Sequence, residues 1–128
     1  MLEKILNTKA FLTAQAALDG LSLRHAAISH NIANVNTPGY KRIEVPFESA
    51  LARAVRKNVS TCGLPCRPNL EFTPPVVRDP SIGRADGNNV DIEREIVQLA
   101  DNTLRYETLS SYVASFFLGL KAVINSGR

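Results

Sequence analysis

"DIEREIVQLADNTLRYETLSSYVASFFLGLKAVINS", residues 91–126, carries the longest uninterrupted periodic pattern in this 128-residue chain. Ile92, Ile96, Leu99, Thr103, Tyr106, Ser110, Val113, Phe117, Leu120 and Ile124 follow one another in steps of four and three. Only Thr103 and Ser110 leave the apolar class. That spacing returns side chains to one stripe of an α-helix, and sustained over four heptads it is the seam of a coiled-coil-like packing. Asp91, Glu93 and Glu95 suit the positive end of the helix dipole, and Asn89 or Asp91 can cap it. The pattern predicts a C-terminal core helix over 91–126, with Ile92, Ile96, Leu99, Tyr106, Val113, Phe117, Leu120 and Ile124 as its packing seam.

Such a helix needs a partner. Fully burying an apolar side chain is worth about 1.5–3 kcal/mol, and ordering the backbone costs about 1–2 kcal/mol per residue. The seam offers an apolar side chain only at every third or fourth residue. The natural first partner is the N-terminus, where Leu6, Ala10, Ala14, Ala17, Leu21, Arg24, Ile28, Ile32 and Val35 recur at helical spacing with Arg24 alone polar. Residues 1–36 are therefore predicted as an N-terminal core helix, continuous through Gly20 although glycine costs about 1 kcal/mol there. Two thin helices still leave a flank of each open. Either neighbouring subunits cover it, or the seam is the core of a monomeric hairpin.

Between the helices the chain changes character. Pro65, Pro68, Pro74, Pro75 and Pro80 forbid a long helix. Residues 41–90 are predicted as a loop or extension with a short helix at 46–57, where Pro46 occupies the first turn and Phe47, Ala50, Leu51, Ala54 and Val55 share a face. "NLEFT" and "VVR" are at best short extended pieces. The whole chain is one mainly α domain: long N- and C-terminal helices packed as a coiled-coil-like hairpin, joined by a Pro/Gly-rich loop region with little regular structure.

The N-terminal helix stops at "NIANVNTPGY", residues 31–40. Asn34 and Asn36 tolerate left-handed backbone angles, and Thr37 precedes proline and is pushed toward extended geometry. Pro38 and Gly39 fit the central positions of a type II turn. The residues dictate a helix, a stop and a sharp redirection over 37–40.

Composition excludes several classes. Net charge is +3, and the basic cluster at Arg53, Arg56, Lys57 and Arg67 reads as a solvated helix face. No contiguous basic stripe with interleaved aromatics argues for nucleic acid. Lys4, Lys9 and Asp19 interrupt the N-terminal apolar pattern, so it is neither a cleaved secretory leader nor a transmembrane span. His25 and His30 stand five apart, on different helix faces. Glu93, Glu95 and Glu107 read as helix-surface carboxylates with no pocket to tune them. Cys62 and Cys66 in "CGLPC" lack redox or zinc-knuckle spacing, so they are either a local disulfide in an oxidising compartment or free thiols. No catalytic residue, metal site or cofactor is implied.

The string "ISHNIANVNTPGYKR" resembles the N-terminal signature of the bacterial flagellar rod and hook family, with Asn31, Ile32, Ala33, Asn34, Thr37, Pro38, Gly39 and Tyr40 matching position by position and Asn36 at a site often Asn or Asp. "DGNNVDIEREIVQLADNTLRYETL", residues 86–109, is similar to the corresponding segment of the proximal rod members, through Asp86, Gly87, Asn88, Val90, Asp91, Ala100, Asp101, Asn102, Leu104 and Tyr106. The resemblance covers both ends of the chain and leaves out the middle, including "TCGLPCRP". It implies a subunit of the hollow rod that crosses the periplasm and transmits torque. It implies passage through the flagellar export apparatus without a cleaved leader. The implied partners are copies of the chain itself, other proximal rod proteins and the rod-base adaptor near the inner-membrane ring. The 31–40 string would then be an assembly motif, with Asn31, Asn34 and Tyr40 in polar or packing contacts at a crowded subunit boundary. The contrasting reading is a non-polymerising helical adaptor or export-chaperone-like protein, which would stay folded and monomeric when pure. A rod subunit would be poorly ordered until assembled.

Overall fold

The computed structural model describes residues 9–61 and 72–126. Within them the chain runs through helix α1 (Lys9–Ala33), strand β1 (Ile43–Glu44), helix α2 (Phe47–Thr61), strand β2 (Val77–Arg78) and helix α3 (Ile92–Ser126). The protein is mainly α. At 1.5 Å per residue the 25 residues of α1 span roughly 37 Å and the 35 residues of α3 roughly 52 Å.

α1 and α3 lie antiparallel, as three contacts along their length establish. Asn31 meets Glu95, the Leu21 carbonyl meets Asn102, and Phe11 stacks on Phe116 with ring centroids 5.6 Å apart. Phe117 closes the far end edge-on to Phe11. The main core sits where α1, the β1–α2 segment and α3 converge. Leu21, Ala27, Val45 and Phe47 are buried there, and Ala17, Ile43, Leu51, Phe72 and Leu109 pack against them.

Gly20 does not interrupt α1. It is buried, and the Phe47 ring lies so close that a Cβ at Gly20 would stand 2.5 Å from its Cδ2. The helix accepts the entropic cost of glycine because the ring fills the space a side chain would need. One turn on, the Arg24 guanidinium covers the same ring at 4.5 Å from its centroid. Arg24 also donates to the Val45 carbonyl through Nε (3.2 Å) and Nη2 (2.9 Å), and to Glu48 Oε1 (2.7 Å) and Oε2 (2.5 Å). The lone polar member of the α1 stripe thus pins the start of α2.

The middle zone holds more order than its prolines suggested. α2 continues to Thr61 rather than stopping at 57, since nothing between Lys57 and Thr61 breaks a helix. Ile43–Glu44 pairs antiparallel with Val77–Arg78, Ile43 opposite Arg78 and Glu44 opposite Val77. "VVR" therefore supplies a strand, and its partner beside Pro46 was not anticipated. Most of "NLEFT", together with Cys62 and Cys66, lies outside the described residues. Among the described residues, no helix is long and apolar enough to cross a membrane.

Candidate functional site

The two sequence strings singled out above, one at each end of the chain, fold into one unit. α1 ends at Ala33, and Thr37-Pro38-Gly39-Tyr40 turns the chain, with Tyr40 N–H donating to the Thr37 carbonyl at 3.3 Å and Gly39 at φ +72°. Those are the features of the expected type II turn, in which only glycine holds the positive φ without strain. Asn34 and Asn36 do not adopt left-handed angles; among the described residues only Gly39 and Gly87 have positive φ. The reason lies 50 residues downstream. The Asn88 amide, fully buried, donates to the carbonyls of Asn34 (3.0 Å), Val35 (3.0 Å) and Thr37 (2.9 Å). Carbonyls freed at a helix C-terminus need donors, and here a distant side chain supplies them, so no left-handed cap is required.

Asn88 is itself held. Its N–H donates to Asp86 Oδ1 (3.1 Å), and its Oδ1 accepts from Val90 N–H (2.8 Å). Gly39 N–H donates to the Asp86 carbonyl at 2.9 Å. Gly87, at φ +82°, brings its backbone so near that a Cβ there would lie 3.5 Å from the Gly39 Cα. Asp91 caps α3, its Oδ1 accepting from Glu93 N–H at 3.0 Å. Asn89 serves elsewhere: its Oδ1 accepts from Arg42 N–H at 2.7 Å while its amide donates to Asp79 and Ser81.

Below the turn, Asn31 is completely buried and uses all four of its side-chain hydrogen-bonding positions. Oδ1 accepts from Ile43 N–H (2.9 Å) and the Tyr40 hydroxyl (3.2 Å). Nδ2 donates to the Ile43 carbonyl (2.9 Å) and to Glu95 Oε2 (3.0 Å). Asn31 thus pairs Ile43 as a neighbouring strand would and ties that pairing to α3. Asn34 stays local, donating to the His30 carbonyl at 2.8 Å and accepting from the Thr37 hydroxyl at 3.3 Å. Thr37 is exposed but joins the network through its carbonyl and hydroxyl; of the remaining motif positions Ile32 is half-buried, and Ala33, Asn36 and Pro38 are exposed.

Glu95 is fully buried, which corrects its reading as a surface carboxylate. Its Oε1 accepts from Arg42 Nε at 2.5 Å, and the Arg42 guanidinium, itself buried, also reaches Glu44 and Gln98 Oε1 (2.8 Å). Burial works to lower the Arg42 pKa, but the hydrogen bonds to Glu95 and Glu44 outweigh it and the guanidinium is held above its ordinary range. Burial pushes the Tyr40 hydroxyl up; Arg78 offsets part of that rise and Glu95 adds to it. Periodicity missed Glu95 because a charged side chain on a helix ordinarily faces water, and Arg42 because it lies outside any helix, between the turn and β1. The one available signal was the acidic residue at the first turn following a glycine-asparagine loop.

The burial of Glu95 and Asn102 fixes which face of α3 meets α1. That face runs through Glu95, Asn102 and Leu109 toward Phe116, along one edge of the apolar seam rather than its centre. Leu99, Val113 and Leu120 of the seam are half-buried. Ile92 (41%), Ile96 (53%), Tyr106 (43%), Phe117 (45%) and Ile124 (56%) keep large exposed fractions. The hairpin uses one edge of the seam and leaves the other as an apolar ridge. His25 and His30 are exposed on α1, and among the described residues no cluster of His, Cys, Asp and Glu could hold a metal ion. The arrangement is a scaffold for packing, with buried charges matched inside the chain.

Comparison with known proteins returns one theme. A family model described as "Flagella basal body rod protein" matches residues 11–41, which span most of α1 and the whole turn. The flagellar basal body rod protein FlgB of Escherichia coli K12 is 32% identical, with both chains covered in full. That of Borrelia hermsii is 38% identical over 87% of this chain and 92% of its own. That of Bacillus subtilis is 29% identical over 88% and 90%.

Proposed function

We propose a place in the proximal part of the flagellar rod, since this chain belongs to the FlgB family of flagellar basal-body rod proteins. It is a structural subunit of the rod, and this reading gives it no catalytic role. The observation that carries the reading is the exposed ridge of α3. A coiled-coil seam over four heptads long has five of its eight apolar side chains open, although burying each would contribute about 1.5–3 kcal/mol. Packing among neighbours in a tube closes that ridge.

On this reading the interlocked strings at 31–40 and 86–91 act inside the subunit. They fix the angle at which the chain leaves the helical hairpin and so set what the ridge presents to its neighbours. Asn31, Asn34, Gly39 and Tyr40 hold the exit geometry, and the exposed Asn36, Thr37 and Pro38 face the subunit boundary. Neighbours are further copies of the chain, other proximal rod proteins and the adaptor at the rod base, reached through the flagellar export apparatus. The test is direct. Basal bodies purified from cells expressing an epitope-tagged chain should contain it at the rod base, seen by immunogold labelling and mass spectrometry. Motile cells whose purified basal bodies lack the chain would overturn the reading.

A further inference from the structure

Asparagine side chains complete the two-stranded sheet where its backbone runs out of partners, except along the outer edge of β2. On the outer side of β1, Asn31 bonds both the N–H and the carbonyl of Ile43. Where the ladder ends, Asn89 fits between the Arg42 N–H (2.7 Å) and the Asp79 carbonyl (3.0 Å), and the Asp79 N–H donates to the Arg42 carbonyl at 2.8 Å. Bonds toward and away from the partner alternate along an antiparallel strand, and Arg78 stands opposite Ile43. The N–H and carbonyl of Arg78 therefore point away from β1, just as those of Ile43 point away from β2. No group among the described residues bonds to them.

The open edge is apolar, basic and held in place. Val76 is 58% exposed, Val77 47% and Ile82 95%. Asn89 and the Lys41 ammonium both bond the Ser81 carbonyl, and a Cβ at Gly83 would lie 2.1 Å from the Asn88 carbonyl oxygen, so the segment after β2 has little room to move. A surface already ordered loses little freedom on binding. The carboxylates of Asp79 and Asp86 accept from the N–H groups of Ser81 and Asn88. The exposed Arg78 and Arg84 make no ion pair among the described residues. Pro75 and Pro80 carry no N–H, which confines pairing to the residues between them and blunts the edge against open-ended aggregation.

We propose that the outer edge of β2 receives an extended segment of another protein, which pairs with the Arg78 N–H and carbonyl as an added strand and sets an Asp or Glu beside the Arg78 guanidinium. Main-chain bonds hold such a strand, and side chains beside the edge select it. Opposite charges on neighbouring strands attract. Two copies of this chain paired edge to edge about Arg78 would set like charges opposite each other, which disfavours the chain itself as the occupant. The inference rests on the rod reading, which supplies the assembly in which the edge is covered.

Amide hydrogen exchange tests the pairing, with the full chain compared alone and in purified basal bodies. The Arg78 amide should exchange as an open amide in the isolated chain and be protected in the assembly. Equal exchange in both overturns the inference. Arg78→Pro removes only the outward N–H of the backbone, and Val77 before it is already extended, so the urea midpoint of the chain should stay where it is. Its incorporation into basal bodies should fall several-fold, and that of Arg78→Gln, which keeps the N–H, should fall less. Parental incorporation of Arg78→Pro overturns the inference; should that variant unfold, the exchange measurement decides. A photo-crosslinking amino acid at Val76 identifies the occupant in the same basal bodies. The expected adduct is a segment of another protein that carries Asp or Glu, whereas a second copy of this chain, a segment without an acidic residue or no adduct overturns the proposal. All these results leave the rod reading intact, while absence of the parent chain from the basal bodies overturns both.

Discussion

The side-chain amide of Asn88 donates to the carbonyl of Val35 at 3.0 Å across 53 residues of chain, and through it the start of the C-terminal region caps the end of the N-terminal helix. The neighbouring bonds to Asn34 and Thr37 make the cap three-fold. Closing α1 therefore depends on docking the segment before α3. The exit turn and the helical hairpin should form together.

Asn88→Ala removes the amide from three carbonyls, of which those of Asn34 and Thr37 keep the N–H donors of Thr37 and Tyr40. We expect a loss of about 1–3 kcal/mol, falling mainly on the Val35 carbonyl. Urea unfolding would measure it, and hydrogen exchange should show the loosening at residues 34–40 before the rest of α1.

Gly20→Ala should destabilise, against the helix-propensity gain of about 1 kcal/mol that an open site would give. The new methyl meets the Phe47 ring 2.5 Å away, and overpacking of this kind costs about 1–3 kcal/mol. In a Phe47→Leu background the penalty should shrink. A double-mutant cycle by urea unfolding that shows no coupling would contradict the packing described.

Glu95→Ala leaves the Arg42 guanidinium buried without its principal counter-charge. The expected cost is about 3–5 kcal/mol, whereas Arg42→Met with Glu95→Leu together should cost far less, because no lone charge remains. Equal losses in the single and the double variants would show that the pair is solvated.

Stability should fall in acid partly through Glu48. Burial alone would raise its pKa, but the Arg24 hydrogen bonds and charge overcome that and hold it below 4.5. A carboxylate depressed in the folded state adds stability that is fully present above the unfolded value, near 4.5, and disappears as pH drops through the folded one. Glu48→Gln should flatten this part of the stability–pH curve below about pH 4.5 and leave the curve's shape at neutral pH unchanged.

Ile96→Asp places a charge on the open ridge, where the side chain is 53% exposed. The isolated chain should unfold within about 0.5 kcal/mol of the parent, yet cells carrying the variant should lose swimming in soft agar. Full motility with the variant incorporated would argue against the ridge as a packing surface.

What the sequence by itself determined was local. The four-and-three spacing in 91–126, the stripe in α1 and the Pro38-Gly39 pair fix helices and turn, because helical periodicity and φ preference depend on residues a few positions apart. The hairpin of two long helices followed from the same patterns, as did the apolar ridge left over. Tertiary structure alone decided which edge of the α3 seam meets α1, since that choice depends on Glu95 and Asn102 being buried, and each is buried only because a partner from another segment satisfies it. Arg42, brought in by the turn, neutralises the first; the Leu21 carbonyl receives the second. Asn88 shows the same division: its sequence position marks a loop, while its function as the cap of α1 exists only once the two ends of the chain have met. Pairings of polar groups across 50 to 80 residues leave no period in a sequence, and those pairings set the register of this fold.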